Sequence, residues 1–234
     1  MLRRKTGNRD ETAEFESTAA LVAGGLFFAD ALSNFFLLLP RGMLFPRSWS
    51  NYYSQIASHP LLFSLTGWGA TVPAVLAIIV VIAVTGRVRS SHERLLQWSA
   101  TVGMIGFTIA AVKQVTDLKE GMRLAKIYAA SDPMTRTTIE TIAHRSIDPD
   151  LVVEGALIAL WFLVVHRLAL HGGLPRPLAY LGLANGAMFF LDGAAITLGN
   201  LALYLAFLGL QWIVLVPAWF IWTGLFLRKS PAPA

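Results

Sequence analysis

Several stretches of this chain place ionisable or amide side chains inside otherwise apolar sequence: Asp30 with Asn34, Lys113 with Gln114 and Asp117, Glu154 one turn after Asp150, Asn185 with Asp192, and Gln211. Helical spacing puts Asp30 and Asn34 on one face at i, i+4. Lys113 and Asp117 are related in the same way, and Asn185 and Asp192 share a side two turns apart. Such groups are costly in hydrocarbon and normally face a bundle interior, so each is a functional candidate. Three chemistries suit them. Carboxylates can bind or pass a cation or proton. A deep carboxylic acid can act as proton donor on a lipid or isoprenoid. Polar side chains can also join helices by hydrogen bonds without further function. Lys113, Asp117 and Glu154 lie close to the ends of their apolar runs, where snorkelling or a local Lys113–Asp117 ion pair accounts for them as well.

Other chemistry is poorly served. With no cysteine in the chain, disulfides, thiolate metal sites, iron–sulfur clusters and a Cys nucleophile are excluded. No HExxH, Walker A, GxSxG or dinucleotide glycine pattern occurs. His59 and His171 fall at span ends, His92 and His144 in loops, and His166 near the inner end of a span, so no metal site is expected and no cofactor is indicated.

The elements that must position these residues follow from composition. Of 234 residues, 55% are hydrophobic and 14% charged, against about a quarter charged in ordinary soluble domains. Mean hydropathy is +0.58. So much apolar surface needs a bilayer as its solvent, and the charges collect between the apolar runs as membrane insertion requires. Runs at about 17–39, 60–85, 95–117, 150–171, 175–198 and 201–227 each suffice to cross the roughly 30 Å hydrocarbon core. We therefore expect an all-α bundle of six transmembrane helices forming one domain. A polar leader over 1–16 precedes it and a tail over 230–234 follows. The first run is too long for a cleaved signal and reads as an uncleaved span. Pro73 predicts a kink in the second, and Leu198-Gly199-Asn200 a tight hairpin between the last two.

Basic residues orient the bundle. With the N-terminus inside, the cytoplasmic segments hold Arg3, Arg4, Lys5, Arg9, Arg87, Arg89, Arg94, Arg167, Arg176, Arg228 and Lys229. The outer segments hold Arg41, Arg47, Lys119, Arg123, Lys126, Arg136 and Arg145. This bias favours both termini in the cytoplasm of a bacterial-type inner membrane. The excess of 19 Lys and Arg over 14 Asp and Glu is then a matter of topology and lipid headgroups, and no nucleic-acid partner is expected.

On that topology Asp30, Lys113, Asp117, Glu154 and Asp192 fall in the outer half of the membrane and could converge on one polar pocket. Their mutual repulsion would then demand a proton, a cation or Lys113 among them. Two connections are long enough to cover such a pocket. Residues 40–59, with Trp49, Tyr52 and Tyr53, form an interfacial segment. The outer loop 118–148 breaks at Ser131-Asp132-Pro133 into two short helices, the second with an apolar stripe of Ile139, Ile142 and Ala143. Gly182 and Gly186 form a GxxxG pair with Gly193 on nearly the same side, a face for close helix packing.

Leu174-Pro175-Arg176-Pro177-Leu178-Ala179-Tyr180-Leu181-Gly182, and Pro217-Ala218-Trp219 through Gly224-Leu225 to Arg228-Lys229, resemble the last two spans of a family of bacterial six-span inner-membrane proteins without assigned activity. The first half of the chain follows no such pattern. The resemblance implies a fold and a location. With no catalytic signature and no soluble domain, the leading expectation is an accessory subunit that binds a protein partner or a second copy within the lipid bilayer. The alternatives are a small cation- or proton-coupled carrier and an intramembrane enzyme acting on a lipid or isoprenoid.

Overall fold

A computed structural model describes residues 3–44, 48–143 and 149–229; His144, Arg145, Asp148 and the tail 230–234 lie outside the described residues. The described residues are mostly helical and include no strand: α1 (Arg3–Ser33), α2 (Trp49–Ser58), α3 (Pro60–Arg87), α4 (Glu93–Ala130), α5 (Pro133–Ala143), α6 (Pro149–Ala169), α7 (Arg176–Thr197), α8 (Leu201–Leu210) and α9 (Val216–Lys229). Six helical segments are long and apolar enough to cross a bilayer: Glu11–Leu38, Pro60–Arg87, Glu93–Ala130, Asp150–Ala169, Arg176–Thr197 and Leu201–Lys229. The protein is a multi-pass membrane helix bundle.

The six spans close into a ring in the order α1, α3, α4, α6, α7 and α8–α9, with α9 packed back along α1. On α3 the larger side chains point outward and the smaller ones inward. Leu61, Leu65, Trp68, Val72, Val75 and Ile82 are exposed at helical spacing, while Ala74, Ala77, Val80, Val81 and Val84 are buried. Small inward residues let backbones approach, the usual basis of helix association in lipid. Where α1 crosses α9 the approach is reciprocal. A Cβ on Gly24 would lie 2.8 Å from Ile221 Cγ1, one on Gly224 would lie 2.7 Å from Leu21 Cγ, and Ser17 Oγ donates to the Gly224 carbonyl at 2.9 Å.

The core lies toward the end of the bundle that carries both termini. There Phe27, Phe107, Trp161, Phe162, Trp219 and Phe220 pack edge to face and tilted, with ring centroids 4.7–6.4 Å apart. Residues expected to form a separate polar leader belong to this end. Helix α1 runs on through them, Ala13 is buried, and Glu16 forms a 2.8 Å ion pair with Arg87, whose side chain is only 6% exposed. Arg87 therefore fastens α3 to α1 instead of standing free in water.

The opposite end is capped. Helix α4 does not stop near Asp117; its 38 residues reach about 57 Å at 1.5 Å each, well beyond a hydrocarbon core. No proline intervenes before Ser131-Asp132-Pro133 and the helix tolerates Gly121, so residues 118–130 continue the span and do not form a separate short helix. Asp132 Oδ1 accepts from the Met134 and Thr135 amides to start α5. Helix α5 folds back on α4. Tyr128 donates to Glu140, and Arg136 donates to the Tyr128 and Ala129 carbonyls at 3.0 and 3.1 Å. Leu38, Met43, Tyr53, Ile56, Ala125 and Tyr128 make a second, smaller core beneath this cap, joined by Ile139 and Ala143. Ile142 points away and is 68% exposed, so the expected α5 stripe is narrower than its spacing suggested.

Helix α3 passes through Pro73 without a break. The irregularities lie in the first and last spans, where Asn34–Leu38 and Gln211–Leu215 are single π turns. In the first, the Leu39 amide reaches the Asn34 carbonyl five residues back at 2.8 Å. In the second, Val216 does the same to Gln211 just before Pro217, whose missing N–H breaks the regular ladder. The turn at Leu198-Gly199-Asn200 uses Gly199 at φ +68°, and Asn200 Oδ1 caps α8 by accepting from Leu203 N at 3.1 Å.

Candidate functional site

Between the aromatic core and the cap the ring does not close on itself. A cavity of about 190 Å³ lies among α1, α3, α4, α6, α7 and α8. Its floor and walls are Phe27, Phe107, Ile158, Phe189 and Trp212, and its polar groups are Asp30, Asn34, Gln114 and Glu154. Tyr204, the buried residue of α8, closes one side. Two further spaces adjoin it through shared lining residues. An annex of about 50 Å³ is bounded by Glu154, Asp192, Gly193, Tyr204 and Trp212. A vestibule of about 300 Å³ leads toward the cap past Asp30, Asn34, Lys113, Gln114, Asp117 and Tyr52.

Local structure explains how each group reaches this space. Asp30 and Asn34 sit where α1 passes into its π turn, and Asn34 Nδ2 donates to Asp30 Oδ2 at 2.9 Å. Asp30 Oδ1 lies against Gly69 of α3, 3.1 Å from where a Cβ would stand, and has no hydrogen-bond partner among the described residues. Glu154 and Asp192 are each 8% exposed, and Asp192 Oδ1 is likewise without a hydrogen-bond partner among the described residues. Both carboxylates, and Lys113 with them, are within electrostatic reach of the Tyr204 hydroxyl. Among the described residues no Lys, Arg or His lines the cavity or the annex. Lys113 stands in the vestibule, bonded to Asp117, and that pair is graded in exposure, 14% for the Lys113 side chain and 54% for Asp117.

On the cap side of the vestibule, Tyr52 is flanked by Trp49, Tyr53 and Phe63. Burial pushes the Tyr52 hydroxyl up to about 12; the neighbouring Tyr53 and the Asp117 carboxylate push the same way, and Lys113 opposes them. It is a neutral phenol at any physiological pH, a hydrogen-bond donor and an apolar face over the entrance.

Thus Asp30, Asn34 and Glu154 share one cavity, Asp192 joins it through the annex, and Lys113 and Asp117 stand at its entrance. Asn185 does not belong to the cavity. Two turns from Asp192 along α7, it is fully buried and donates to the Leu181 and Leu215 carbonyls at 3.0 and 3.2 Å. Its neighbour there is the end of the second π turn, so Asn185 joins helices. Gln211, also fully buried, lies in that turn and is not among the residues lining the cavity. Of the three glycines, Gly182 and Gly186 are contact points: a Cβ would fall 2.0 Å from His166 Cδ2 and 2.8 Å from Leu163 Cγ. Gly193 has nothing within 4 Å of a Cβ and borders the annex instead. Among the described residues no group of three His, Asp or Glu side chains is placed to hold a metal ion.

Sequence reasoning missed His166. It is fully buried, with Nδ1 2.8 Å from the Phe162 carbonyl and Nε2 2.9 Å from Trp219 Nε1. Because the indole can only donate, Nε2 accepts and Nδ1 carries the proton, a single neutral tautomer. The link between α6 and α9 is structural and lies below the cavity floor. Its one sequence signal is the absence of a side chain at Gly182, into which the imidazole packs.

Fold and site together define a six-span membrane protein with an internal, acid-bearing, aromatic-walled cavity open toward one capped end. No family model matches the chain, and no curated protein or solved structure shows significant similarity to it.

Proposed function

We propose that this protein binds a small amphipathic molecule in the cavity between its aromatic core and its cap. The observation that carries the reading is the enclosure of Asp30, Asn34, Gln114 and Glu154 among aromatic walls in a space of about 190 Å³ that continues into a vestibule. A few convergent polar groups in an otherwise apolar concavity are the normal make-up of a small-molecule site. Polar atoms left without partners inside lipid-embedded protein cost several kcal/mol each unless a ligand, water or proton serves them. π turns, which commonly accompany functional sites, occur in the two spans that supply Asp30 and Trp212. The basic-residue bias supports a topology with the cap and vestibule on the outer face of a bacterial-type inner membrane.

An accessory role remains compatible with such a site, and a carrier role has one observation in its favour: acids occur in succession from vestibule to cavity to annex. Against a carrier stands the tightly packed aromatic core beneath the cavity, which would have to open.

The test is native mass spectrometry of the full chain in lipid nanodiscs, wild type beside Ala110→Phe, which fills the cavity wall. A one-to-one small-molecule adduct on the wild type that Ala110→Phe lacks is the expected result. Equal adducts on both proteins, or none on either, would overturn the reading. A stoichiometric protein partner with no small-molecule adduct would replace it with the accessory one.

A further inference from the structure

We propose that the ligand is an amphiphile dissolved in the bilayer, which enters sideways through the seam between α4 and α6; the inference rests on the ligand-site reading above and names the ligand's source. Two glycines draw these helices together at one level. A Cβ on Gly103 would lie 2.5 Å from Trp161 Cγ, and one on Gly106 would lie 2.9 Å from Ile158 Cγ1. Beyond Gly106, toward the cap, α4 and α6 border space on both sides. Inward lie the cavity and vestibule, both lined from these helices by Gln114 and Leu151. Outward lies a groove of about 380 Å³, lined by Thr108, Ile109, Val112 and Thr116 of α4 and by Asp150 of α6. Lys113 and Asp117 line groove and vestibule alike, so this ion pair stands between the surface of the bundle and its interior.

Depth suits a lipid-like molecule. Lys113 lies about 30 Å along α4 from Glu93, at about 1.5 Å per residue, which is one hydrocarbon thickness. The ion pair therefore sits at headgroup level. Thr108 and Ile109 lie a turn deeper, among acyl chains, and Val112 is 60% exposed. An amphiphile seated in the groove lays its chain on Ile109 and Val112 and brings its head to the ion pair. The way in from water is more obstructed. On the cap side the vestibule is lined by Leu38, Met43, Tyr52 and Phe63, all part of the small core of the cap. Toward lipid the barrier includes a pair whose side chains are 14% and 54% exposed. Partly exposed ion pairs hold weakly, and Lys113 can swing its ammonium along the headgroup layer without taking charge into hydrocarbon. The glycine contacts lie about two turns deeper and need not part.

The chain has no cysteine, so a single thiol can be placed in the groove cleanly. Val112→Cys in nanodiscs is capped with benzyl methanethiosulfonate, which fills the groove and is removed by dithiothreitol. The probe is a diazirine-bearing decanol added to the nanodisc lipid, and the readout is the initial rate of photolabelling at Phe107 and Ile158, which line the cavity and are each 2% exposed. Capping Val112→Cys should abolish most of that rate, and dithiothreitol should restore it. The same cap on Leu65→Cys, on the outward face of α3, should change nothing. Thr108→Cys serves if Val112→Cys fails to accumulate. Asp117→Asn should raise the rate about two- to fivefold, the factor a partly exposed ion pair supplies; a rate at or below wild type would overturn the part given to that pair. Cavity labelling that persists at full rate behind the cap, or that is achieved by a water-soluble diazirine-bearing 2-phenylethanol and not by the decanol, would overturn the lateral entrance while leaving the cavity a ligand site. Cavity labelling by neither probe would overturn the inference and the reading beneath it together.

Discussion

Two glycines on nearly the same side of α7 separate packing from opportunity. A methyl group on Gly182 would enter the His166 ring, 2.0 Å from Cδ2, in a region where the imidazole is already held by Phe162 and Trp219. Gly193 faces open space at the annex. Overpacking a rigid site typically costs about 1–3 kcal/mol. Gly182→Ala should therefore lower the melting temperature in detergent markedly, while Gly193→Ala should leave it unchanged; equal effects would contradict the packing described. At this scale the sequence was partly legible. The Asp30–Asn34 contact and the Lys113–Asp117 pair follow directly from i, i+4 spacing, because both lie within one helix. The separation of Asn185 from Asp192 did not follow, although they share a helix side. Depth decides which of them meets a cavity, and depth depends on where the neighbouring helices leave a gap.

Among the elements, the fastening of α1 is the feature least visible in sequence. Its first turns look like a polar leader, yet Glu16 reaches Arg87 at the end of α3, Ser17 bonds the Gly224 carbonyl, and Gly24 and Gly224 interlock α1 with α9. Nothing local to residues 11–24 announces partners so far along the chain. Likewise α4 outruns its apolar segment because helix propensity and an Arg123–Glu120 pair at 2.7 Å carry it on to Ser131. The Glu16–Arg87 pair has side chains only 15% and 6% exposed, so removing one partner leaves a buried charge. Arg87→Met or Glu16→Gln alone should each cost on the order of 3–5 kcal/mol, and the double variant should recover much of that loss. The check is a double-mutant cycle by thermal or denaturant unfolding in micelles. Strictly additive losses would show that the two side chains do not depend on each other.

For the whole molecule, hydropathy and charge placement made the six-span bundle plain before any coordinates, since span length and composition answer to the bilayer alone. The cavity was legible only as a set of acids at similar height. Its walls come from Phe27, Phe107, Phe189 and Trp212 on four separate segments, and aromatic residues in a span look the same in sequence whether they fill a core or border a void. The cap explains why the void persists: α2, α5 and the extension of α4 build their own small core over the vestibule and do not pack down into it. The most direct measurement is photolabelling of the nanodisc-embedded protein with a diazirine-bearing 2-phenylethanol, a small amphipathic probe, followed by peptide mapping. The account places the label on cavity segments, around Leu151–Ile158 of α6 and Tyr204–Trp212 of the last span, with suppression by Ala110→Phe. Labelling confined to the lipid-facing stripe of α3, at Leu61, Leu65 and Trp68, and unaffected by that substitution, would contradict it.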